Sequence, residues 1–568
     1  MPGSYFYHDH SSLNRADGLQ VRPADRAARK GVPSLVTPGP DASDVLFLTD
    51  FWHFTGNALA MRLNRPFDPN QATSDAGGWC WVGLPRSLLI NGEHLSGYAA
   101  CLTKRMRGLG NYGECEDVYI RKVNETLPFR SDGYKAETKD LMTPNPALPG
   151  SWGQLLSPAA ARWSCGLQNN CGQRYRVTAK PGQTQRLRLI NAATLVYMTV
   201  CIQGHTLTVV ALDAAPVEPQ DFFECVDINT GQRVDVHIKP NQAGVDTRKA
   251  YWINVGSQHR KGAPSAYGIL RYEGAAESPD PSQIIQPGPM ADKKWPAEPQ
   301  TSPYLFPKAA PKSFKLPTTS ISRRFILQST QPVFESNGML RWALDNVAYP
   351  DNPNWVSSVP AVPSNGPDQQ LYFTPAGGNA STWMTDGKDL QPGAGEVVEV
   401  VIQNNRAGLN GGEYASNNDS LTNNRNGREQ HSFHLHGHHF WQVGMGMGEW
   451  SEGKVRTDYN LVNPPLRDTT TVLSNGTTED KAAWVAIRFV ADNPGTWPLH
   501  CHIAWHEFMG QGITIIEDAP AIAKAKAPAG MPTCPAKCIS TFANFNPNAV
   551  KAVYGSSGLL APDSAQLP

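Results

Sequence analysis

The chain has 568 residues, enough for two to four domains with cores of their own. It carries 50 Gly and 47 Pro with only 18% charged residues, which suits an all-β protein with many turns and long loops. Lys plus Arg and Asp plus Glu balance at 50 each, so charge gives no case for nucleic acid or an anionic membrane surface. No run of 18 or more apolar residues occurs, so no transmembrane helix is expected.

Residues 1–44 open abruptly. The stretch GSYFYHDHSSLNRADGLQ reads as a strand with aromatic alternation, closed by a turn at Ala16-Asp17-Gly18. Met1-Pro2-Gly3-Ser4 shows no basic region followed by an apolar one, so no signal peptide is visible. A joint at Pro38-Gly39-Pro40-Asp41 follows. A second unit, 45–277, starts with the apolar strand Val45 to Leu48. Further short strands are expected at Ser87 to Ile90, Gln185 to Ile190, Thr206 to Leu212 and Arg233 to Ile238. Residues 278–318 are Pro-rich and aperiodic, as an extended linker would be. A third unit, 319–568, begins near Arg323 to Leu327 and holds strands at Val397 to Ile402 and Trp484 to Phe489. An Asn/Gly-rich run from Asn404 to Arg428 reads as a long surface loop. The two strand-rich units look like divergent copies of one sandwich, without a fixed short repeat.

Ten cysteines are present. Cys501 stands in a histidine motif. Cys80, Cys101, Cys115, Cys165, Cys171, Cys201, Cys225, Cys534 and Cys538 make an odd remainder, so at least one lacks a partner in this chain. Sequons at Asn124, Asn379, Asn418 and Asn475 are compatible with a secreted glycoprotein.

The chemistry concentrates in the third unit. In His500-Cys501-His502 one cysteine is clamped between two histidines, and His506 follows. On an extended strand, His500 and His502 face one way and Cys501 the other. A metal on Cys501 and His506 would then sit a few bonds from metals on His500 and His502, a geometry for passing electrons between copper sites. The run HSFHLHGHH, starting at His431, supplies five more histidines. Cys501 with two imidazoles and a weak axial ligand is the signature of a blue-copper site. His506 is one imidazole, and His431 is the natural second. His434 and His436 alternate onto one face, suited to a multinuclear cluster with His500 and His502. His8 and His10 share that i, i+2 spacing. Alone they would read as exposed strand histidines; beside the other clusters they become ligands.

HSFHLHGHHFW and GTWPLHCHIAWHEFMGQG resemble the two C-terminal copper motifs of the multicopper oxidases, the family of laccases, ascorbate oxidases and ferroxidases. GSYFYHDHSSLNRADGL resembles that family's second N-terminal motif. RLRLIN, IQGHTLTVVALDAAPVEP and NPPLRDTT resemble framework segments. The resemblance covers nearly the whole chain. It implies cupredoxin-like Greek-key β-sandwiches, normally three. It implies copper at three kinds of centre. His431, Cys501 and His506 match type 1 ligands and His434 a type 2 ligand. His8, His10, His436, His500 and His502 match type 3 ligands. Single electrons from a substrate would enter at the type 1 copper. They would cross Cys501 and its flanking histidines to the trinuclear cluster, where dioxygen is reduced to water. The axial type 1 position matches Gln511, an oxygen donor that favours Cu(II) and lowers the potential. Met509 would share its face on a strand and is a rival.

The sequence also departs from the family. The first motif, His-Trp-His-Gly, is absent. The expectation is that the first half of domain one is missing, leaving 1–44 as its remnant and unpaired sheet edges where the lost strands belong. One type 2 and one type 3 ligand would go with it, and the cluster would be only partly present. Ala504 stands where some relatives carry an acid, and Gln203 where many fungal laccases have an acid that binds phenols. His53 and His205 read as framework histidines, and His438 and His439 as supports of the cluster or of the loop. Trp163 and Trp355 read as core, with a substrate face as the other use.

The leading expectation is a secreted, monomeric, fungal-type oxidase of the laccase or ascorbate-oxidase kind. It would couple one-electron oxidation of a phenol, diphenol or ascorbate to reduction of dioxygen, with no nucleic acid or membrane partner. A ferroxidase is the alternative within the family, and would need acids near His506 and His431. A truncated, non-catalytic cupredoxin holding only type 1 copper is the alternative outside enzymes.

Overall fold

The structure, a computed structural model, describes residues 4–10, 13–21, 43–52, 87–93, 174–257, 263–276, 320–331, 340–345, 392–404, 429–473 and 483–518, with isolated positions beside them. Regular structure there is nearly all strand. β1 (Tyr7–His8) and β2 (Gln20–Val21) form a two-stranded ladder. A nine-stranded sheet system comprises β3 (Ser43–Phe51), β4 (Ser87–Ile90), β5 (Arg176–Ala179), β6 (Gln185–Asn191), β7 (Met198–Leu212), β8 (Ala215–Ile228), β9 (Arg233–Ile238), β10 (Ala250–Gly256) and β11 (Ala266–Tyr272). Its order is β4-β3-β6-β9-β7-β10-β11-β5, with β8 also on β7. The remaining strands are β12 (Arg323–Thr330), β13 (Ala343–Leu344), β14 (Val397–Asn404), β15 (His431–Leu435), β16 (Phe440–Met447), β17 (Leu466–Arg467), β18 (Thr469–Val472), β19 (Ala483–Val490), β20 (Gly495–Cys501) and β21 (Gly512–Glu517). They build a six-stranded sheet, β13-β12-β14-β19-β16-β17, and a four-stranded sheet, β18-β15-β20-β21. Strands distant in sequence are neighbours, so the chain crosses between sheets as in a sandwich. Two six-residue helices, α1 (Glu452–Thr457) and α2 (Ala504–Met509), lie in the third unit.

Burial follows from position in these sheets. Strand β5 alternates exposed and buried along RVTA, as an edge strand does. Strand β14, VVEVVIQN, is buried at every residue because β12 and β19 flank it and both its faces are covered. The strands expected at Val45 to Leu48, Ser87 to Ile90, Gln185 to Ile190, Thr206 to Leu212, Arg233 to Ile238, Arg323 to Leu327, Val397 to Ile402 and Trp484 to Phe489 are present among these. One apolar core runs without a break from Leu13 through Leu189 and Val236 to Phe433, Phe489 and Ile515, joining the sheet systems.

The stretch 3–20 is not one strand. Among its described residues Tyr7–His8 pairs back onto Gln20–Val21, and residues 13–18 form successive turns, with Ala16 N donating to Leu13 O and Gly18 N to Arg15 O. Leu13 and Arg15 point inward and are buried, so the segment is fixed by docking rather than by a ladder. Among the cysteines, Cys201 and Cys225 bridge β7 and β8 at directly opposed positions. The other seven outside the motif, the sequons, His53, Trp163, Trp355 and the linker lie outside the described residues, apart from a few isolated linker positions.

Candidate metal centre

Strands β15 and β20 are antiparallel neighbours, with His434 opposite His500 and Phe433 opposite Cys501. This register puts His434 and His500 on one face and Cys501 on the other. Strand β20 ends at Cys501, yet the alternation persists through His502. His500 and His502 both join a histidine cluster, while Cys501 points at His431 and His506.

Helix α2 returns His506 to Cys501. It has no side-chain N-cap, and Gly510, at φ 107°, ends it with its N–H bonded to Glu507 O. So short a helix is held by packing, here of Trp505 and Met509, both fully buried; Trp505 packs edge-on against Trp52 at 4.9 Å. The result is a buried group in which Cys501 Sγ lies 3.8 Å from His431 Nδ1 and 3.7 Å from His506 Nδ1. The two Nδ1 atoms are 3.0 Å apart. Burial pushes the Cys501 thiol up to about 12, so a thiolate there needs a bound cation.

Gln511 is fully buried beside this group. Its carbonyl accepts from Cys501 N at 2.9 Å and its Nε2 donates to Ser329 Oγ at 2.8 Å. Its Oε1 is buried with no hydrogen-bond partner among the described residues. Leaving such an oxygen unsatisfied costs about 1–3 kcal/mol, which a metal using its lone pair would relieve. Met509 does not share a strand face with Gln511: it ends a helix, and Gly510 turns the chain between them. A soft thiolate, two imidazoles and an orphaned amide oxygen are a donor set that fits copper.

The second group gathers His8, His10, His434, His436, His500 and His502. His8 Nε2 lies 3.1 Å from His502 Nε2, and His436 Nε2 lies 3.0 Å from His500 Nε2. The His10 ring is 4.8 Å from that of His436, and the His434 ring is also 4.8 Å from it. Burial, then the charge of Arg15, lowers the pKa of His8 and brings that of His10 to about 4; burial, then His434, brings His436 to about 3. Burial also holds His500 and His502 well below the usual range. Neutral imidazoles keep the lone pairs that metals need. Nδ1 of His8, His434 and His500 donates to the carbonyls of Asp9, Asp468 and Cys501, at 3.2, 2.7 and 3.1 Å. Each such bond leaves Nε2 as the ligating atom. The His500 bond also ties the cluster to the backbone of Cys501.

Several flanking residues are invisible to sequence spacing. The Trp342 ring packs 4.6 Å from His431 and 4.9 Å from His506 and is buried. Glu429 Oε2 lies 3.2 Å from His506 Nε2, and Glu507 Oε1 lies 3.3 Å from His500 Nδ1. Arg15 grips His502 through Nη1 to Nδ1 at 3.1 Å and Nη2 to the carbonyl at 2.5 Å. Only Glu429 left a trace in the sequence, since it is two residues before His431 and so shares its side of an extended chain. His205 is a framework histidine as expected, between Gln203 O and Tyr272 Oη. His438 supports the loop after β15: its Nδ1 donates to His436 O and its Nε2 lies 2.8 Å from Glu517.

One cysteine and two histidines, joined through that cysteine to a histidine cluster on β-sandwich sheets, make a donor set of the kind that copper proteins use. The chain belongs to the multicopper oxidases: family models of that description match residues 43–275 and 358–520. L-ascorbate oxidase of Brassica rapa subsp. pekinensis is 27% identical over 544 residues, covering 92% of this chain and 76% of that protein. Laccase-2 of Botryotinia fuckeliana is 30% identical over 368 residues, covering 62% of this chain and 52% of that protein. The crystal structure of laccase from Botrytis aclada superposes with a TM-score of 0.54 at 21% identity, covering 98% of this chain and 77% of that one, and shares its cupredoxin-like sandwich fold. Membership makes the protein a copper-dependent oxidoreductase whose partners are dioxygen and a reducing substrate. No helix of the described residues is long and apolar enough to cross a membrane.

Proposed function

We propose that the protein couples one-electron oxidation of a phenol, diphenol or ascorbate to four-electron reduction of dioxygen to water. In this reading His431, Cys501 and His506 would hold type 1 copper, with the unpartnered Gln511 Oε1 as a further donor. His434 serves type 2 copper, and His8, His10, His436, His500 and His502 serve the type 3 pair. The two sheet systems correspond to cupredoxin units 45–277 and 319–568. The carrying observation is the placement of Cys501 between His431 and His506, with its carbonyl bonded to His500. Copper bound at these groups supplies the one-electron oxidation and the reduction of dioxygen.

The residues of the chain do the rest. The Glu429 carboxylate, 3.2 Å from His506 Nε2, favours a proton on that nitrogen, which leaves Nδ1 as the ligating atom facing Cys501. Trp342 covers both imidazoles and keeps water from the thiolate. The amide oxygen of Gln511 would favour Cu(II) and lower the potential of a copper held there, which suits easily oxidised substrates. With copper held at both groups, the His500-Cys501-His502 backbone would be the covalent link between them. Export from the cell is part of the proposal, supported by the Cys201–Cys225 bridge and four sequons.

A second reading, oxidation of Fe(II), is favoured by Glu429, an acid at the His506 imidazole where an iron substrate would need one. Oxygen uptake on one copper-loaded preparation, with ascorbate, a methoxyphenol and Fe(II) compared, separates them. Uptake with the organic donors is expected. A clear preference for Fe(II) would reverse the ranking. An intense blue band with no uptake from any donor would reduce the protein to a non-catalytic type 1 copper carrier.

A further inference from the structure

We propose that Arg233, at the start of β9, is a positioning residue for the histidine cluster, tying two distant segments, at Ser4 and Asp468, to its own turn at Gly231, each of which carries or presses on the cluster's histidines. The proposal rests on the copper reading above only in what the cluster is for. Arg233 is 4% exposed. Its Nε donates to Ser4 O at 2.8 Å, and its Nη1 to Gly231 O at 3.0 Å. Nη1 and Nη2 together clasp the Asp468 carboxylate at 2.7 and 2.5 Å.

Each partner leads to a different histidine. Ser4 lies four residues before His8, on the segment that delivers His8 and His10, and the neighbouring Tyr5 ring lies 5.3 Å from the guanidinium. Gly231 sits at φ 79°, so close to His502 that a Cβ there would meet the imidazole at 2.5 Å. Its backbone is therefore a wall for that ring. The carbonyl of Asp468 accepts the Nδ1 proton of His434 at 2.7 Å and sets which nitrogen of His434 faces the cluster.

The three segments lie far apart in sequence and share no ladder with one another. A planar fork with donors on three edges can hold all three at once. Lysine has one nitrogen and could keep the charge opposite Asp468 without reaching Ser4 O and Gly231 O together. Arg233 thus differs from an ordinary interface ion pair, whose loss would loosen the interface evenly rather than release particular imidazoles.

The test reads the imidazoles directly, without copper. Metal-free wild type, Arg233→Lys and Arg233→Met are treated with diethylpyrocarbonate, and modification of each histidine is timed by mass spectrometry. His434 and His502 are expected to react roughly tenfold faster in both variants, the effect of one lost charge-assisted hydrogen bond on a local opening equilibrium. His431, His506 and His205 should keep their wild-type rates. Equal acceleration at all five histidines, wild-type rates in the methionine variant, or full protection by lysine would each overturn the proposal. If instead wild type took up copper only at the blue site, the cluster reading would fail while the histidine rates still judged Arg233.

Discussion

Replacing Asp213 by asparagine removes one charge from a buried group of two aspartates and two arginines, Asp213, Asp468, Arg233 and Arg467, none of whose side chains is more than 9% exposed. Asp213 accepts from Arg467 Nε at 2.9 Å, Thr469 Oγ1 at 2.6 Å, Thr469 N at 3.2 Å and Arg233 N at 3.0 Å. Asparagine fits the space but carries no charge, and leaves Arg467 facing an amide instead of a carboxylate. Breaking such a group on one side costs about 3–5 kcal/mol. The pH dependence gives a second route to the size. Burial alone would raise the Asp213 pKa, but Arg467, Arg233 and their hydrogen bonds outweigh it and hold it down at about 2. Against an ordinary value near 3.9, that depression is worth on the order of 2–3 kcal/mol. The sign follows: a depressed carboxylate pKa stabilises above about pH 4, and the contribution drains as pH falls toward about 2. The remainder of the mutational cost is the amide donor now turned toward other donors. Urea unfolding followed by tryptophan fluorescence, at about pH 7 and again near pH 3, measures both terms. The variant should lose about 3–5 kcal/mol at neutral pH and less in acid. A companion double variant, Asp213→Leu with Arg467→Met, should cost less than Asp213→Asn alone, since no buried charge is left unmatched at that pair. A loss under about 1 kcal/mol at neutral pH, or an equal loss at both pH values, would refute the reasoning.

Gln511→Leu should raise the potential of the blue copper in a redox titration, because an oxygen donor to Cu(II) is lost; an unchanged potential would mean that Gln511 is not the axial group. Gly231→Ala combines a left-handed backbone, costing roughly 1–2 kcal/mol for any other residue, with a Cβ driven into His502. It should lower copper bound at the cluster while the blue band persists, and unaltered copper content would count against that contact. Removing the Cys201–Cys225 bridge, whose ends are 24 residues apart, should cost about 3.5 kcal/mol by loop entropy. Denaturant midpoints of the double serine variant with and without reductant check this. A shift on reduction that survives in the variant would point to another bridge.

How far the protein can be read from its sequence depends on the range of the contact. Alternation along a strand is local, so HCH at 500–502 already separates Cys501 from His500 and His502, and β15 and β20 keep that separation. The strands themselves were legible for the same reason, since apolar runs such as β14 and β19 are short and bounded by turn residues. Spacing misled where the local period changed. Met509 and Gln511 look like strand neighbours, but α2 and the left-handed Gly510 intervene. Residues 13–18 look like part of a strand, but they curl to bury Leu13 and Arg15. Trp342, Glu507 and Arg233 were not readable at all. Their roles arise only when separate sheets pack and a loop between β8 and β9 is pressed against His502 and Asp468. The sequence by itself determined which side chains can share a face and offer lone pairs to copper. The tertiary structure alone decided which distant residues surround those lone pairs, because packing and buried charge, unlike strand alternation, have no period along the chain.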